Sequence, residues 1–83
     1  MNFVAEIDVM PLKELLDPQG KAVASGMHNM KMTGIQDVRI GKHITLKLEA
    51  ASKAEATEKV ETACKKLLTN PVIEYFHYDV KEA

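Results

Sequence analysis

The sequence predicts an α+β fold of two layers. Its elements run β-α-β-β-α-β, giving a four-stranded antiparallel sheet with two helices on one face. Three observations predict this. Apolar and polar residues alternate near residues 3–9, 38–48 and 72–80, the period of a half-buried strand. Two intervening stretches repeat apolar residues at helical spacing behind good capping residues. The chain has 83 residues, enough for one core and no second, so residues 1–83 are read as a single domain.

Phe3, Ala5, Ile7 and Val9 point one way from the first strand, and Glu6 and Asp8 the other; Pro11 limits its continuation. Asp17-Pro18 opens the first helix, because aspartate caps free amides and proline suits the first helical position. Val23, Met27 and Met30 follow at i, i+4 and i+7, with Ala22 and Gly26 alongside, as one apolar stripe. Gly20 and Gly26 lower intrinsic helicity, so this helix must lean on packing. Its end is expected between Lys31 and Gly34.

Val38 and Ile40 alternate with Asp37 and Arg39, and Ile44, Leu46 and Leu48 with Thr45, Lys47 and Glu49. With Gly41-Lys42 between them, the two runs read as a hairpin. Parity decides its loop. A three-residue loop, Gly41-Lys42-His43, pairs Ile40 with Ile44 and Val38 with Leu46 and keeps both apolar rows on one face. Ser52-Lys53-Ala54-Glu55 is a capping box, followed by Ala56, Val60, Ala63, Cys64 and Leu67 on one helical face. Asn70-Pro71 stops that second helix. In the last strand Val72, Phe76, Tyr78 and Val80 share a face, and Ile73, Tyr75, His77 and Asp79 the other.

Right-handed crossovers place both helices on the same side of the sheet, the ferredoxin-like arrangement. The opposite face is then open and carries Val4, Met10, Ile73 and Tyr75 among polar groups. In so small a domain, that face suggests pairing with another copy.

Composition narrows the function. Lys+Arg number 11 and Asp+Glu 12, net −1, and aromatics are 5% of the chain, which argues against nucleic-acid binding. No apolar run approaches the roughly 20 residues of a membrane helix, and the first residues lack a basic, apolar leader pattern, so a cytoplasmic location is expected. Cys64 lies on the apolar stripe of the second helix and reads as an inert core thiol. His28, His43 and His77 lack metal-ligand spacing, and no nucleotide-binding glycine motif occurs. No catalytic, cofactor or metal residues are therefore assigned. Asp37-Val38-Arg39-Ile40-Gly41-Lys42 is the one polar cluster that stands out, an anion site or docking surface if not simply a solvated turn. It leaves open a free-standing ligand-binding regulatory domain. An acylphosphatase-like enzyme shares the topology, but the glycine-rich anion loop with its arginine is missing.

Three strings go further: Leu16-Asp17-Pro18-Gln19-Gly20, Asp37-Val38-Arg39-Ile40-Gly41-Lys42 and Asn70-Pro71-Val72-Ile73-Glu74. In this order and spacing the chain resembles the PurS family, the small subunit of phosphoribosylformylglycinamidine synthase, over essentially its whole length. One departure is that family members often place Gly after the first helix, where this chain has Met30-Lys31-Met32, so a longer or irregular helix end is expected. The resemblance implies a non-catalytic assembly subunit, a dimer or tetramer of itself. It would join a glutaminase subunit to a large synthetase subunit that uses ATP and Mg²⁺, and help ammonia pass between them. It also implies partner-contact residues on the matching strings: Asp17 and Gln19, Arg39 and Lys42, Asn70 and Glu74. Arg39 leads, because a guanidinium can hold a carboxylate with two bonds.

Overall fold

A computed structural model describes residues Met1–Ala83. The elements are β1 (Asn2–Pro11), α1 (Pro18–Asn29), β2 (Lys42–Glu49), α2 (Lys53–Ala63) and β3 (Glu74–Glu82). A single π-helical turn, Cys64–Leu68, extends α2. The sheet has three strands in the order β2-β1-β3, both pairs antiparallel, so β1 is central.

Register follows the alternation of β1. Phe3 lies opposite Leu48 and Glu82, Ala5 opposite Leu46 and Val80, and Ile7 opposite Ile44 and Tyr78. These residues form the inward face. Phe3, Ala5, Ile7, Val9 and Val80 are buried there with Ala50 and with Ala56, Val60 and Cys64 of the second helix. Burial pushes the Cys64 thiol above its usual pKa. The Tyr78 hydroxyl donates to Glu61, tying β3 to α2. That bond holds the Glu61 carboxyl below its usual range and raises Tyr78 above its own.

The start and stop signals of α2 act as expected. Ser52 Oγ accepts from the Glu55 amide at 3.2 Å, and Glu55 reaches back to the Ala51 amide at 3.3 Å. Beyond the π turn, Asn70 Oδ1 accepts from Val72 N at 3.1 Å, and its carbonyl accepts from Ile73 and Glu74. This turn delays β3 to Glu74, two residues later than the apolar alternation alone suggests.

Two expectations require correction. The hairpin is absent: residues 35–41 form no strand, and Ile40 does not pair with Ile44. The reason is a stronger set of partners elsewhere. Ile40 N donates to Asp17 Oδ2 at 2.8 Å, and Arg39 bonds the carbonyls of the β1–α1 connection. The segment therefore lies along α1, not along β2. Gly20 permits this close approach, since a Cβ there would run into the Val38 carbonyl oxygen.

The end of α1 is the second correction. The helix stops at Asn29 despite the missing glycine. Lys31 takes the left-handed conformation at φ 61°. Lys31 N then donates to His28 O at 2.9 Å and Met32 N to Met27 O at 3.0 Å, a complete Schellman closure.

The two helices differ in what they cover. α2 packs on β1 and β3. In α1, Gly20 alone is buried, while Val23 is 39% and Met30 74% exposed. The open face of the sheet holds Val4, Met10 and Tyr75 as expected, but its centre is polar, with Glu6, Asp8, His43, Thr45, His77 and Asp79.

Candidate functional site

The three sequence strings converge at one end of the sheet, where α1 begins. A groove of about 360 Å³ there is lined by Asp17, Gln19, Lys42 and Glu74 with Leu15, Leu16, Ile40 and Ile73. Asn70 adjoins it, because Glu74 Oε1 accepts from the Asn70 amide at 2.8 Å. Arg39 lies round the corner in the neighbouring cleft, beside Asp17, Lys21 and Asp37.

Each polar residue has a distinct task. Asp17 is buried and caps α1, its Oδ1 accepting from Gly20 N at 3.0 Å and its Oδ2 from Ile40 N. The Gly20 amide, then the Ile40 amide, holds its carboxyl below the usual range. Arg39 Nη2 donates to Leu12 O at 2.6 Å and to Pro11 O at 3.4 Å, and Nη1 to Leu15 O at 3.2 Å. Both residues are thus spent largely on holding the groove together. Lys42 Nζ and Glu74 Oε2 stand 4.0 Å apart across the groove in an exposed, loose pair of small energetic weight. Gln19 is exposed at its rim.

The groove is formed by chain crossings. Gly41 lets the chain pass over the end of β1, where a Cβ would strike Met10 Sδ and Val9 O. The Asn70 turn presents Val72 and Ile73, 77% and 46% exposed, and the residue before the α1 cap presents Leu16, 68% exposed. The result is an apolar floor and wall with a Lys42, Glu74 and Gln19 rim. That composition suits a protein surface better than a small charged ligand. The apolar wall is what sequence reasoning missed. Its signal was Leu15-Leu16 standing in a loop outside any helical stripe.

A second polar cluster lies on the open face. His43 Nδ1 is 2.7 Å from Asp8 Oδ1 and Nε2 is 2.6 Å from Glu6 Oε2. The bond to Asp8, then that to Glu6, raises the His43 pKa and favours the imidazolium. No three His, Cys, Asp or Glu side chains are placed to hold a metal ion. No helix is long and apolar enough to cross a membrane.

Comparison with known proteins agrees with the strings. The model of the PurS family, described as phosphoribosylformylglycinamidine (FGAM) synthase, matches residues 4–82. The Bacillus subtilis phosphoribosylformylglycinamidine synthase subunit PurS is 46% identical over 72 residues, 86% of this chain and 84% of that protein. A crystal structure of Bacillus subtilis PurS superposes with a TM-score of 0.87 at 40% identity, covering 96% of this chain and 99% of that one. A chain in the structure of PurLQS from Thermotoga maritima superposes at 0.84 with 36% identity, covering 100% and 99%. The chain belongs to the PurS family.

Proposed function

We propose that this chain is the PurS subunit of FGAM synthase in purine biosynthesis, working in the cytoplasm as a self-associated assembly piece. In this reading it catalyses nothing itself. It bridges a glutaminase subunit and a large synthetase subunit, and the latter uses ATP and Mg²⁺ to aminate formylglycinamide ribonucleotide. The observation that carries the reading is the meeting of all three family strings at one apolar groove with a polar rim. Gln19, Lys42, Asn70 and Glu74 are the rim residues that would touch a partner there, Asn70 and Glu74 from within their own turn. Asp17 and Arg39 shape the surface from within. The fourth strand expected at Val38–Ile40 belongs, in this reading, to the assembled state.

The physical need is clear. Ammonia released into neutral water is mostly ammonium, a poor nucleophile. Holding the two active sites together keeps the intermediate away from bulk solvent. A subunit that only fixes their relative placement therefore changes glutamine-dependent turnover without touching either reaction.

The test is reconstitution. The large synthetase and glutaminase subunits are assayed for FGAM formation with glutamine, with and without this chain. Addition should restore glutamine-dependent activity, while activity with added ammonium salt changes little. Leu16→Asp and Lys42→Glu should weaken that restoration about tenfold, the effect of losing roughly 1.4 kcal/mol of docking energy. Full glutamine-dependent activity without this chain would refute the reading.

A further inference from the structure

Hydrogen bonds at the two ends of the β1–β3 ladder fix which backbone groups of β3 are used. Leu12 N donates to Ile73 O, and Ala83 N donates to Asn2 O. Pairing between them is continuous, with Val4 opposite Lys81, Glu6 opposite Asp79, Asp8 opposite His77 and Met10 opposite Tyr75. Bonded and non-bonded pairs alternate along an antiparallel ladder. Tyr75, His77, Asp79 and Lys81 therefore turn their N–H and C=O groups toward β1. Phe76, Tyr78, Val80 and Glu82 turn theirs outward, where the sheet has no further strand.

This edge is long and regular. β3 contains no proline, and its register has no bulge. Such an edge is a ready template for another strand. The outward backbone of β3 also belongs to residues whose side chains face the helix layer, Phe76, Tyr78 and Val80. The outer edge of β2 differs, since its outward backbone belongs to His43, Thr45, Lys47 and Glu49, on the polar open face.

Beside the β3 edge lies a cleft of about 540 Å³, lined by Lys65, Thr69, Pro71, Glu74, Tyr75 and Phe76. Thr69 is 7% exposed, and its hydroxyl has no hydrogen-bond partner. Buried polar groups are ordinarily paired, so the chain alone leaves this wall incomplete. Phe76 and Tyr78 lie nearly parallel with ring centroids 6.1 Å apart. They make a flat apolar step along the outward backbone.

We propose that the outer edge of β3 takes an extended segment of a partner protein as an added antiparallel strand, one apolar residue of which enters the cleft at Phe76. Charge defines that segment. Asp79 and Lys81 are exposed on the open face and share only a loose pair at 3.6 Å. Opposite charges directly across two strands stabilise the pairing. The segment therefore carries an acidic residue opposite Lys81 and a basic residue opposite Asp79. Its residues opposite Val80, Tyr78 and Phe76 face the helix layer and are apolar. Read from its N-terminus, the pattern is acidic, apolar, basic, apolar, any residue, apolar.

A second copy of β3 does not meet this description. Setting Asp79 of one copy opposite Lys81 of the other, and the reverse, fixes the register. Phe76 and the cleft then lie past the end of the other β3, which stops at Glu82. The edge adjoins the apolar groove only at Glu74, so the added strand is a contact beyond the one proposed above.

The probe is a fluorescein-labelled peptide with the core Glu-Ile-Lys-Val-Thr-Leu, titrated with the full chain and followed by anisotropy. It should bind saturably below about 1 mM, and a scrambled peptide should not. Asp79→Lys combined with Lys81→Glu should weaken binding about tenfold, by turning two favourable cross-strand pairs into repulsive ones. The peptide Lys-Ile-Glu-Val-Thr-Leu should bind that variant better than it binds the parent. Amide exchange followed by NMR should show Phe76, Tyr78 and Val80 slowed by the peptide, with Tyr75, His77 and Asp79 unchanged. No binding by 1 mM, or protection at His43, Thr45 and Lys47 instead, would overturn the proposal. Concentration-dependent protection of Phe76, Tyr78 and Val80 without peptide would also overturn it, by showing that a second copy fills the edge. None of these readouts involves FGAM formation, so failure of the reconstitution does not mimic them.

Discussion

Replacing Lys31 with glycine should make the protein more stable, although it removes a side chain and a charge. Lys31 holds φ 61° to close the α1 C-terminus. A side chain in that left-handed region costs about 1–2 kcal/mol. Glycine relieves the cost but adds unfolded-state freedom worth about 0.5–1 kcal/mol. The two closing hydrogen bonds, from Lys31 N to His28 O and from Met32 N to Met27 O, use backbone groups and survive the change. At the middle of these ranges the balance is a gain of about 0.75 kcal/mol, or roughly 3–6 °C in Tm for a domain of this size. Lys31→Ala is the control, since it loses the same charge and keeps the strain. Melts followed by circular dichroism at one fixed chain concentration give the comparison, because the proposed self-association would make Tm concentration-dependent. The reasoning fails if Lys31→Gly melts at or below Lys31→Ala.

Three further outcomes follow from the described contacts. Gly20→Ala should lose about 1–3 kcal/mol in urea unfolding through overpacking against Val38, whereas Gly26→Ala should gain up to about 1 kcal/mol; equal stabilities would contradict the close approach. Arg39→Ala should lose about 1.5–3 kcal/mol and speed amide exchange in residues 12–16, with Arg39→Lys restoring only part, since lysine cannot fork between carbonyls; full rescue by lysine would refute the bonding described. The raised pKa of His43 makes its ion pairs with Asp8 and Glu6 stabilising below its unfolded pKa of about 6.5 and progressively lost as pH rises through the higher folded value. The urea midpoint difference between the parent and His43→Gln should therefore shrink from about pH 6 to about pH 9, and a constant difference would refute the clamp.

What sequence reasoning reached was local chemistry. β1, the α2 capping box and the Asn70-Pro71 stop depend on neighbours within a few residues, and they form where expected. The strand at Val38–Ile40 did not, because alternation reports an extended chain without naming its neighbour. Asp17 and the carbonyls of residues 11–15, more than twenty positions away, claimed that segment instead. The same applies to the site. Asp17, Gln19, Arg39, Lys42, Asn70 and Glu74 stood out one string at a time. Their division into residues that brace the groove from within and residues at its rim depends on how the strings cross in space. The His43 cluster was invisible for a related reason, since it needs the β1–β2 register that places Asp8 opposite His43. Lys31 shows a backbone demand overriding residue preference: the closing turn needs one left-handed residue, and a lysine takes that place.

The central place of β1 also orders events in time. Phe3 is opposite Leu48 on one side and Glu82 on the other. The strand synthesised first is therefore the one whose second flank is made last, with most of the chain between them. Such long-range pairing slows folding relative to local structure. α2 and its turn can form early from nearby residues, but the inward row of β1 stays exposed until β3 arrives. A nascent chain must therefore wait until its last strand is free before its core can close.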